Sequence, residues 1–549
     1  MVFFPLLAAA ALGAASLTQA QDSRRASEPA EPDLSSIVAP ARNPEAPPVS
    51  NQTHRLWLTA YDAAGRRMDF RELLTYVGRA DSKGKSLTDV GLAGMAVYPV
   101  DSLVRLPKAE IFQAAGGAVL VWEGRERVRI SLPWPVRNDG FSTVWIDKGG
   151  EGYADRDAVL LNAEIALTQH RKLRETLRAK QGAKPSYAPG DRARKLLEKA
   201  DDLIADAGKE REGSDRAELF DKALTAVSAA WQKMDFEHGL QAAAKSPSKD
   251  ALRFGLTLDE TASVWSPHSK WLSETIERSG ANWVRLVFRA NPHDFSYASE
   301  RSFEPYDPIV SELLLRGIKI LACPLDTAQW PRTLTPEAYA ARTASLVKRY
   351  GDRIRSWEVG PEINGDWLGG SRAPLGPERV FEIYSAGARA VKAEDPSLET
   401  VATLYWWDGT APDAEHSLYG WLDRYIPKGF GKDLDVVSLS LQPEDNPVGM
   451  AFDDIFQSVH ERLPGKKLML GSFGYVEGDK VAGYWWLDPE DVDGGRKDLL
   501  LLYNASACGQ PSSLCGGFWW QSLEQMFLPT RRTTDLFLVY KRGLYQLGR

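Results

Sequence analysis

The sequence predicts an α/β protein in which a (β/α)₈ barrel follows a β-rich domain and a helical connector. From about residue 252 onward, short apolar segments alternate with amphipathic helical segments, a pattern typical of βα units around a parallel sheet. Eight such segments occur in roughly 300 residues, which fits a closed barrel better than a doubly wound sheet. At 549 residues the chain is also long enough for more than one domain.

The barrel is predicted over residues 251–549. Its eight predicted strands are, in chain order, 253–260, 282–290, 319–326, 353–362, 399–408, 434–444, 466–475 and 515–523. The segments between them carry helix signals, such as Thr335 followed by Pro336, which is a capping hydroxyl before a proline at the first helical position.

The part before the barrel divides into four segments. Residues 52–150 contain strand-like pieces punctuated by Gly and Pro, which predict a β-rich, sandwich-like domain. Residues 151–250 are expected to be helices that pack against the barrel or the sandwich. Residues 1–20 are typical of a cleaved signal peptide, and the Pro-rich and Ala-rich stretch 21–51 predicts a disordered leader. The expected location is therefore secreted or periplasmic.

Composition excludes several function classes. A formal net charge of −7 provides no basic surface for nucleic acid, and no later segment is apolar enough for a membrane span. The scattered His and Cys residues lack metal-ligand spacing, and we expect neither a metal nor a cofactor. Cys508 and Cys515 flank a short turn that suits a disulfide in an oxidising compartment, while Cys323 is expected to be a buried thiol.

The segment WEVGPEIN, Trp357 to Asn364, carries the main functional signal. In an extended strand Glu358 and Glu362 share one face, and Glu362 lies near the C-terminal mouth where such barrels hold active sites. The segment resembles glycoside hydrolase family 39 and, more loosely, the clan A barrels, whose fourth strand ends in W-E-V-x-N-E-P-N with the glutamate as acid/base. This resemblance implies hydrolysis of an O-glycosyl bond in a carbohydrate, with Glu362 as acid/base. Pro361 replaces the family's sugar-binding asparagine.

The predicted seventh strand departs from the resemblance. The family's nucleophilic glutamate would fall on Ser472, and the family's histidine and tyrosine on strand six are replaced in the region of Ser440, Gln442 and Glu444. A serine carries no charge and is a poor nucleophile without an adjacent base. The reaction is therefore either rebuilt around another carboxylate or lost.

A rebuilt site needs a second carboxylate, about 5 Å from the first for retention of configuration or roughly 6.5–9.5 Å for inversion. Glu477, just past strand seven, is the predicted second carboxylate. Other acidic residues follow predicted strand ends, where each is also explained as a solvated loop residue or a helix cap: Glu444, Asp408, Asp326 and Glu524.

The resemblance also implies substrate contacts. Arg285 matches a strand-two arginine that supports the nucleophile in these barrels, and Arg285 or Arg289 is a candidate to bind an acidic sugar; the alternative is an ion pair with Glu358. Trp519 or Trp520 would lie beneath the sugar as a platform. The predicted substrate-binding residues are Arg285, Asn364, Trp406, Trp407, Gln442, Ser472, Trp519 and Trp520. Four further tryptophans lie near predicted strand ends: Trp330, Trp367, Trp485 and Trp486. About half of the eight tryptophans named here are expected to pack in the core.

Two functions remain open on the sequence. The first is an exported hydrolase of a polysaccharide or oligosaccharide. The second is a catalytically inactive barrel that binds glycan or serves in polysaccharide assembly or export, which the missing glutamate at Ser472 favours. A barrel enzyme of unrelated chemistry is weaker, because the sequence has no phosphate-binding glycine loop and no metal cluster.

Overall fold

The computed structural model describes residues 53–78, 94–107, 109–137, 140–183, 186–211, 213–290, 303–370, 374–443, 446–475 and 492–548. Several sequence predictions lie outside these residues: the signal peptide 1–20, the leader 21–51, Glu444, Glu477, Trp485 and Trp486.

The N-terminal part is rich in β-structure, as predicted. Its strands are β1 Thr53–Thr59, β2 Ala96–Pro99, β3 Ala109–Ala114, β4 Gly117–Glu123, β5 Val128–Val136, β6 Gly140–Ile146 and β7 Asp157–Leu160, with helix α1 at Phe70–Gly78. One sheet has the order β3-β4-β1-β7 and the other β2-β5-β6. Because β7 pairs in parallel with β1, the first sheet extends past residue 150.

Three helices follow: α2 Leu161–Gly182, α3 Asp191–Lys209 and α4 Gly213–Lys245. In α4 the buried residues Phe220, Leu224, Val227, Trp231 and Met234 recur at helical spacing and form one apolar stripe. The stripe explains why α4 packs against neighbouring helices and against the barrel.

The rest of the chain forms the predicted barrel. Its strands are β8 Gly255–Leu258, β9 Trp283–Val287, β10 Lys319–Cys323, β11 Ser356–Gly360, β12 Glu399–Tyr405, β13 Val436–Leu441, β14 Lys467–Phe473 and β15 Phe518–Trp519. All eight are parallel and close into a ring in chain order. Each observed strand lies within its predicted segment, which confirms the fold class.

Helices surround this ring. They are α5 Ala262–Trp265, α6 Ser269–Ser279, α7 Asp307–Leu315, α8 Pro336–Tyr350, α9 Pro377–Glu394, α10 Leu418–Tyr425, α11 Phe452–Arg462, α12 Val492–Cys508, α13 Ser522–Met526 and α14 Asp535–Gln546, and a small hairpin joins β16 Phe527–Leu528 to β17 Arg532–Thr533. Helix α8 begins as predicted, since the Thr335 hydroxyl accepts a hydrogen bond from the amide of Ala338.

The barrel interior is filled with side chains. Six of the eight strands contribute one residue each to a single apolar cluster: Trp283, Leu321, Val401, Val436, Met469 and Phe518. Such layers fill the inside of a barrel, so ligands and catalytic groups meet at the loops of its C-terminal mouth. The strands are buried along most of their length, which explains their continuous apolar runs in the sequence.

The N-terminal sheet β2-β5-β6 contacts this mouth. The Ser131 hydroxyl of β5 donates to the Asp408 carboxylate (2.7 Å), and the Thr143 hydroxyl of β6 donates to the carbonyl of Pro447 (2.5 Å). Asp408 and Pro447 lie in the loops after β12 and β13. The β-rich part therefore supports two of the loops that border the mouth.

Cys508 and Cys515 form a disulfide, and Cys323 is a buried free thiol. Both findings agree with the sequence predictions. Among the described residues, no helix is both long and apolar enough to cross a membrane.

Candidate functional site

Glu362 lies in a tight turn at the barrel mouth. Strand β11 ends at Gly360, and Glu362 follows with a φ of 47°, in the left-handed region that non-glycine residues rarely adopt. The turn is held by its neighbours, since the amide of Ile363 donates to the carbonyl of Thr403 (3.2 Å) and that of Gly365 to the carbonyl of Glu362 (3.0 Å). Such strained residues cluster at functional sites, where the surrounding structure maintains them.

The surroundings of the Glu362 carboxyl group favour its protonated form. The side chain is partly exposed, and the hydroxyl of Ser440 on β13 donates a hydrogen bond of 2.5 Å to its Oε1. Burial raises the pKa of Glu362 to about 7; the Ser440 hydrogen bond and the charge of Arg285 oppose that rise, whereas the charges of Asp326 and Glu358 add to it. The group can therefore both donate and accept a proton near neutral pH.

Glu358 has a different environment, although it is only four residues away. It is 1% exposed, its Oε2 accepts a 2.6 Å hydrogen bond from Nε of Arg285, and its Oε1 accepts one from Thr403. Strand β11 ends at Gly360 and its pairing with β12 shifts between Glu358 and Gly360, so the prediction that Glu362 lies in the same strand as Glu358 is wrong. Glu362 lies in the turn after the strand.

Arg285 is the cation of this buried pair. It is 5% exposed, and although burial lowers its pKa, the neighbouring charges, Glu358 first, outweigh that effect and raise it. This is the ion pair that the sequence offered as the alternative to sugar binding. A buried pair of this kind must keep both partners, because losing one leaves an uncompensated charge.

Asp326 lies between Arg285 and the solvent at the end of β10. Its Oδ1 accepts a 2.9 Å hydrogen bond from the amide of Ala328, and its Oδ2 lies 4.0 Å from Nη2 of Arg285. Its side chain is 23% exposed, so this carboxylate, unlike Glu358, remains accessible from the mouth.

Strands six and seven contribute uncharged polar groups. Ser472 on β14 is largely buried and supplies a hydroxyl where the resemblance leads one to expect a carboxylate. Gln442 directly follows β13, and within the described part of the chain its buried Oε1 accepts no hydrogen bond. An unsatisfied buried amide oxygen is costly, so a hydroxyl donor that reached this oxygen would be favoured.

The four predicted tryptophan contacts are not equivalent. Trp519 is fully buried, Trp406 and Trp407 are nearly so, and the three indole N–H groups donate within the fold. Trp520 is partly exposed, and its Nε1 donates to Oδ2 of Asp259 (3.0 Å), which orients the ring. Trp520 is therefore the one of the four that presents a partly open face at the mouth.

Asn364 does not face the mouth. It is fully buried, its Nδ2 donates to the carbonyls of Tyr405 and His416 (both 2.9 Å), and its Oδ1 accepts from the amide of Tyr405 (2.7 Å). The whole amide is used to tie the Glu362 turn to the end of β12. Its role in this structure is to position that turn.

An acidic pair, Asp259 and Glu260, follows the end of β8 and was not among the residues predicted from the sequence. Burial, with the charge of Asp259, raises the pKa of Glu260 to about 8, and the buried Oε2 of Glu260 has no hydrogen-bond partner within the described residues. Arg289 lies beside this pair, with its Nη2 3.9 Å from Oδ2 of Asp259. The adjacent acids at the C-terminal end of a barrel strand were the available signal, but the predicted strand 253–260 included both.

No group of three or more His, Cys, Asp or Glu side chains is placed to hold a metal ion in the described ranges. The mouth combines carboxyl groups with the Arg285–Glu358 and Arg289–Asp259 ion pairs and with aromatic surface.

No protein-family model matches the chain, and no curated protein matches it. Among solved structures, the GH53 catalytic domain of Ignisphaera aggregans is 18% identical, with 53% of this chain and 90% of that chain covered and a TM-score of 0.39. A chain from a structural study of two fungal β-1,4-galactanases is 13% identical, with 53% of this chain and 99% of that chain covered and a TM-score of 0.41. A GH10 endoxylanase from a sugarcane soil metagenome is 14% identical, with 54% of this chain and 98% of that chain covered and a TM-score of 0.40. These similar structures are glycoside hydrolases, but a likeness this distant carries no argument about activity.

Proposed function

We propose that this protein is an exported glycoside hydrolase that cleaves glycosidic bonds in a polysaccharide or oligosaccharide, with Glu362 as general acid/base. The observation that carries the proposal is Glu362 at the barrel mouth, a partly exposed residue in which burial of the carboxyl group raises its pKa to about 7. A general acid must keep its proton at the working pH and must reach the leaving oxygen. An ordinary surface glutamate would be ionised at that pH.

The environment of Glu362 suits both halves of such a reaction. Burial favours the protonated form that donates to the glycosidic oxygen, while the Ser440 hydroxyl stabilises the carboxylate that remains. The resulting carboxylate can then take a proton from water. A pKa near the working pH gives the best compromise between these two steps.

Two other groups at the mouth support a carbohydrate ligand. Trp520 presents a partly exposed ring, which suits the apolar C–H face of a sugar. The oxygen Oε1 of Gln442 is a free acceptor for a sugar hydroxyl within the described residues. Together they supply stacking and hydrogen bonding, the two interactions that sugars offer.

A relation to family 39 and export remain predictions within this proposal. The segment Trp357 to Asn364 supports the first. The apolar stretch 1–20 and the disulfide between Cys508 and Cys515 support a secreted or periplasmic location.

Glu362→Gln tests the proposal, because glutamine keeps the volume and one acceptor oxygen but cannot donate a carboxyl proton. We expect reducing-end release from polysaccharides to fall by about 10²- to 10⁴-fold. The assay should use a panel of neutral and uronate-containing polysaccharides, with glycan binding measured in parallel by calorimetry. Glu382→Gln, on the exposed surface of α9, is the matched control and should leave release unchanged.

Equal release by wild type and Glu362→Gln would remove Glu362 from the acid/base role. Tight binding with no release by either protein would favour the second candidate, a glycan-binding barrel without activity. The observation behind that second candidate is Ser472, which leaves strand seven without a carboxylate at the expected position.

A further inference from the structure

Asp326 and Glu362 leave the barrel side by side. Strands β10 and β11 pair in parallel with Ala322 opposite Trp357, so Asp326 is four residues and Glu362 five residues beyond a shared register position. Neighbouring strands in a sheet are about 4.8 Å apart. Residues just past the C-terminal ends of adjacent barrel strands therefore face the same part of the mouth.

Two contacts hold the Asp326 carboxylate in place. The guanidinium of Arg285 lies 4.0 Å from its Oδ2, and the amide of Ala328 donates to its Oδ1. Glu358 shares the same arginine but is buried and closed off by Thr403. Of the two carboxylates beside Arg285, only Asp326 is exposed enough to reach a substrate.

The electrostatic interaction between Asp326 and Glu362 agrees with their neighbouring positions. Burial is the main cause of the raised pKa of Glu362, and the negative charge of Asp326 raises that pKa further. The two carboxyl groups therefore interact with each other at the mouth. In many enzymes two carboxyl groups in one site divide the acid and nucleophile roles according to their different surroundings.

Other described acidic residues follow other strands or, like the partly exposed Asp366, lie further along the loop after β11. Asp408 bonds to Ser131 of the N-terminal sheet. Asp259, Glu260 and Glu524 follow β8 and β15, and β15 lies opposite β11 in the ring of eight.

We propose that Asp326 is the second carboxylate of the site, the nucleophile that takes over from the carboxylate missing at Ser472. This inference rests on the proposed function and names the residue that completes it. A nucleophilic Asp326 attacking the anomeric carbon directly implies a retaining mechanism, for which the two carboxyl groups must lie about 5 Å apart.

The reaction proceeds in two balanced displacements. First, an Asp326 carboxylate oxygen bonds to the anomeric carbon while the glycosidic C–O bond breaks, and the Glu362 proton passes to the departing oxygen. Second, a water oxygen bonds to the anomeric carbon while the bond to Asp326 breaks, and the water's proton returns to Glu362. One water is consumed, and both carboxyl groups end in their starting states.

The test compares Asp326→Asn with Glu362→Gln on 2,4-dinitrophenyl glycosides of neutral and uronic acid sugars. These leaving groups need little protonation, so Glu362→Gln should retain most of its rate of glycosyl transfer to the enzyme, whereas Asp326→Asn should lose about 10³-fold or more. Asparagine keeps the oxygen that accepts from Ala328, which preserves the turn. Asp352→Asn is the control and should behave as wild type, because Asp352 is exposed and lies just before β11, at the end of the barrel away from the mouth.

Two further readouts identify the nucleophile directly. Incubation with 2-deoxy-2-fluoro glycosides should leave a sugar ester on the peptide that contains Asp326, detected by mass spectrometry. Azide added to Asp326→Ala should restore turnover and yield a glycosyl azide of inverted configuration.

A sugar ester on another carboxylate overturns the inference, as does Asp326→Asn with wild-type rates. If Asp326→Asn is unaffected while Glu362→Gln loses polysaccharide hydrolysis, the proposed function stands and Asp326 alone is excluded. If neither substitution changes hydrolysis, the proposed function fails and the inference fails with it.

Discussion

Carboxyl groups in two regions of the molecule have different partners: in one region the partner is a cation, and in the other it is a hydroxyl group. Between the helical connector and the barrel, the ammonium of Lys180 on α2 lies 3.0 Å from Asp453 of α11 and 3.3 Å from Asp235 of α4. At the barrel mouth, Glu362 receives a hydroxyl hydrogen bond from Ser440 and no ion pair within the described residues.

The pKa values follow these contacts. Burial acts to raise the pKa of Asp453, but the contacts with Lys180 and Gln510 outweigh burial and hold this pKa below its usual value. At Asp235 burial prevails and raises the pKa well above its usual range. One carboxylate beside Lys180 therefore stays charged and holds two layers together. At Glu362 burial is only partly opposed, which leaves a titratable group at an accessible place. The cation beside Asp453 keeps that acid ionised, whereas Glu362 has no such partner among the described residues and a pKa near 7, as proton transfer requires.

Lys180→Met should give the largest effect on stability. It leaves two acids in an apolar interface without their cation, and we expect a loss of about 3–5 kcal/mol in the free energy of unfolding. Urea denaturation measures the loss. Lys348→Met is the matched control, because Lys348 is 69% exposed and its pair with Glu394 should contribute less than about 1 kcal/mol. Equal losses in the two variants would show that burial is not what distinguishes the Lys180 cluster.

Glu362→Gln should change stability in the opposite sense. The folded pKa of Glu362, about 7, lies above the ordinary value of 4.5. The stabilisation of the folded state by the protonated group is therefore complete below about pH 4.5, and it is lost as the pH rises through 7. The variant cannot ionise. We expect it to match wild type at pH 4 and to be more stable by about 1–3 kcal/mol at pH 8. Urea denaturation at the two pH values checks this, and a variant less stable than wild type at pH 8 would contradict the comparison.

Ser440→Ala should give the smallest effect. Removing a hydrogen bond donated to the Glu362 carboxylate favours its protonated form, so the pKa of Glu362 should rise by up to about one unit. Carbon-detected NMR titration of labelled glutamate would follow the shift. Ser438→Ala is the control on the same strand, because the buried hydroxyl of Ser438 has no hydrogen-bond partner in the described part of the chain. An unchanged Glu362 pKa in Ser440→Ala would show that this hydroxyl does not act on the carboxyl group.

The barrel could be predicted because eight short apolar runs, as buried parallel strands require, alternate with amphipathic helical segments along the chain. The site could be predicted only in part. Trp519 and Trp520 are adjacent and chemically identical, and the sequence alone did not separate the buried ring from the exposed one. Asn364 has the residue type expected for a sugar contact, yet its hydrogen bonds serve the turn instead. Side-chain direction past a strand end depends on the turn, which periodicity does not describe.

Local patterns in the sequence therefore determined the number and order of the strands, the disulfide and the position of Glu362 at the mouth, because these depend on residues close together in the chain. The tertiary structure decided which acid is neutralised and which is left to titrate. Arg285 belongs to β9, Glu358 to β11, Thr403 to β12 and Ser440 to β13, so the charges of the site are set by contacts between strands that are distant in sequence. Electrostatic interactions depend on distance in space and on burial, and only the closed barrel supplies both.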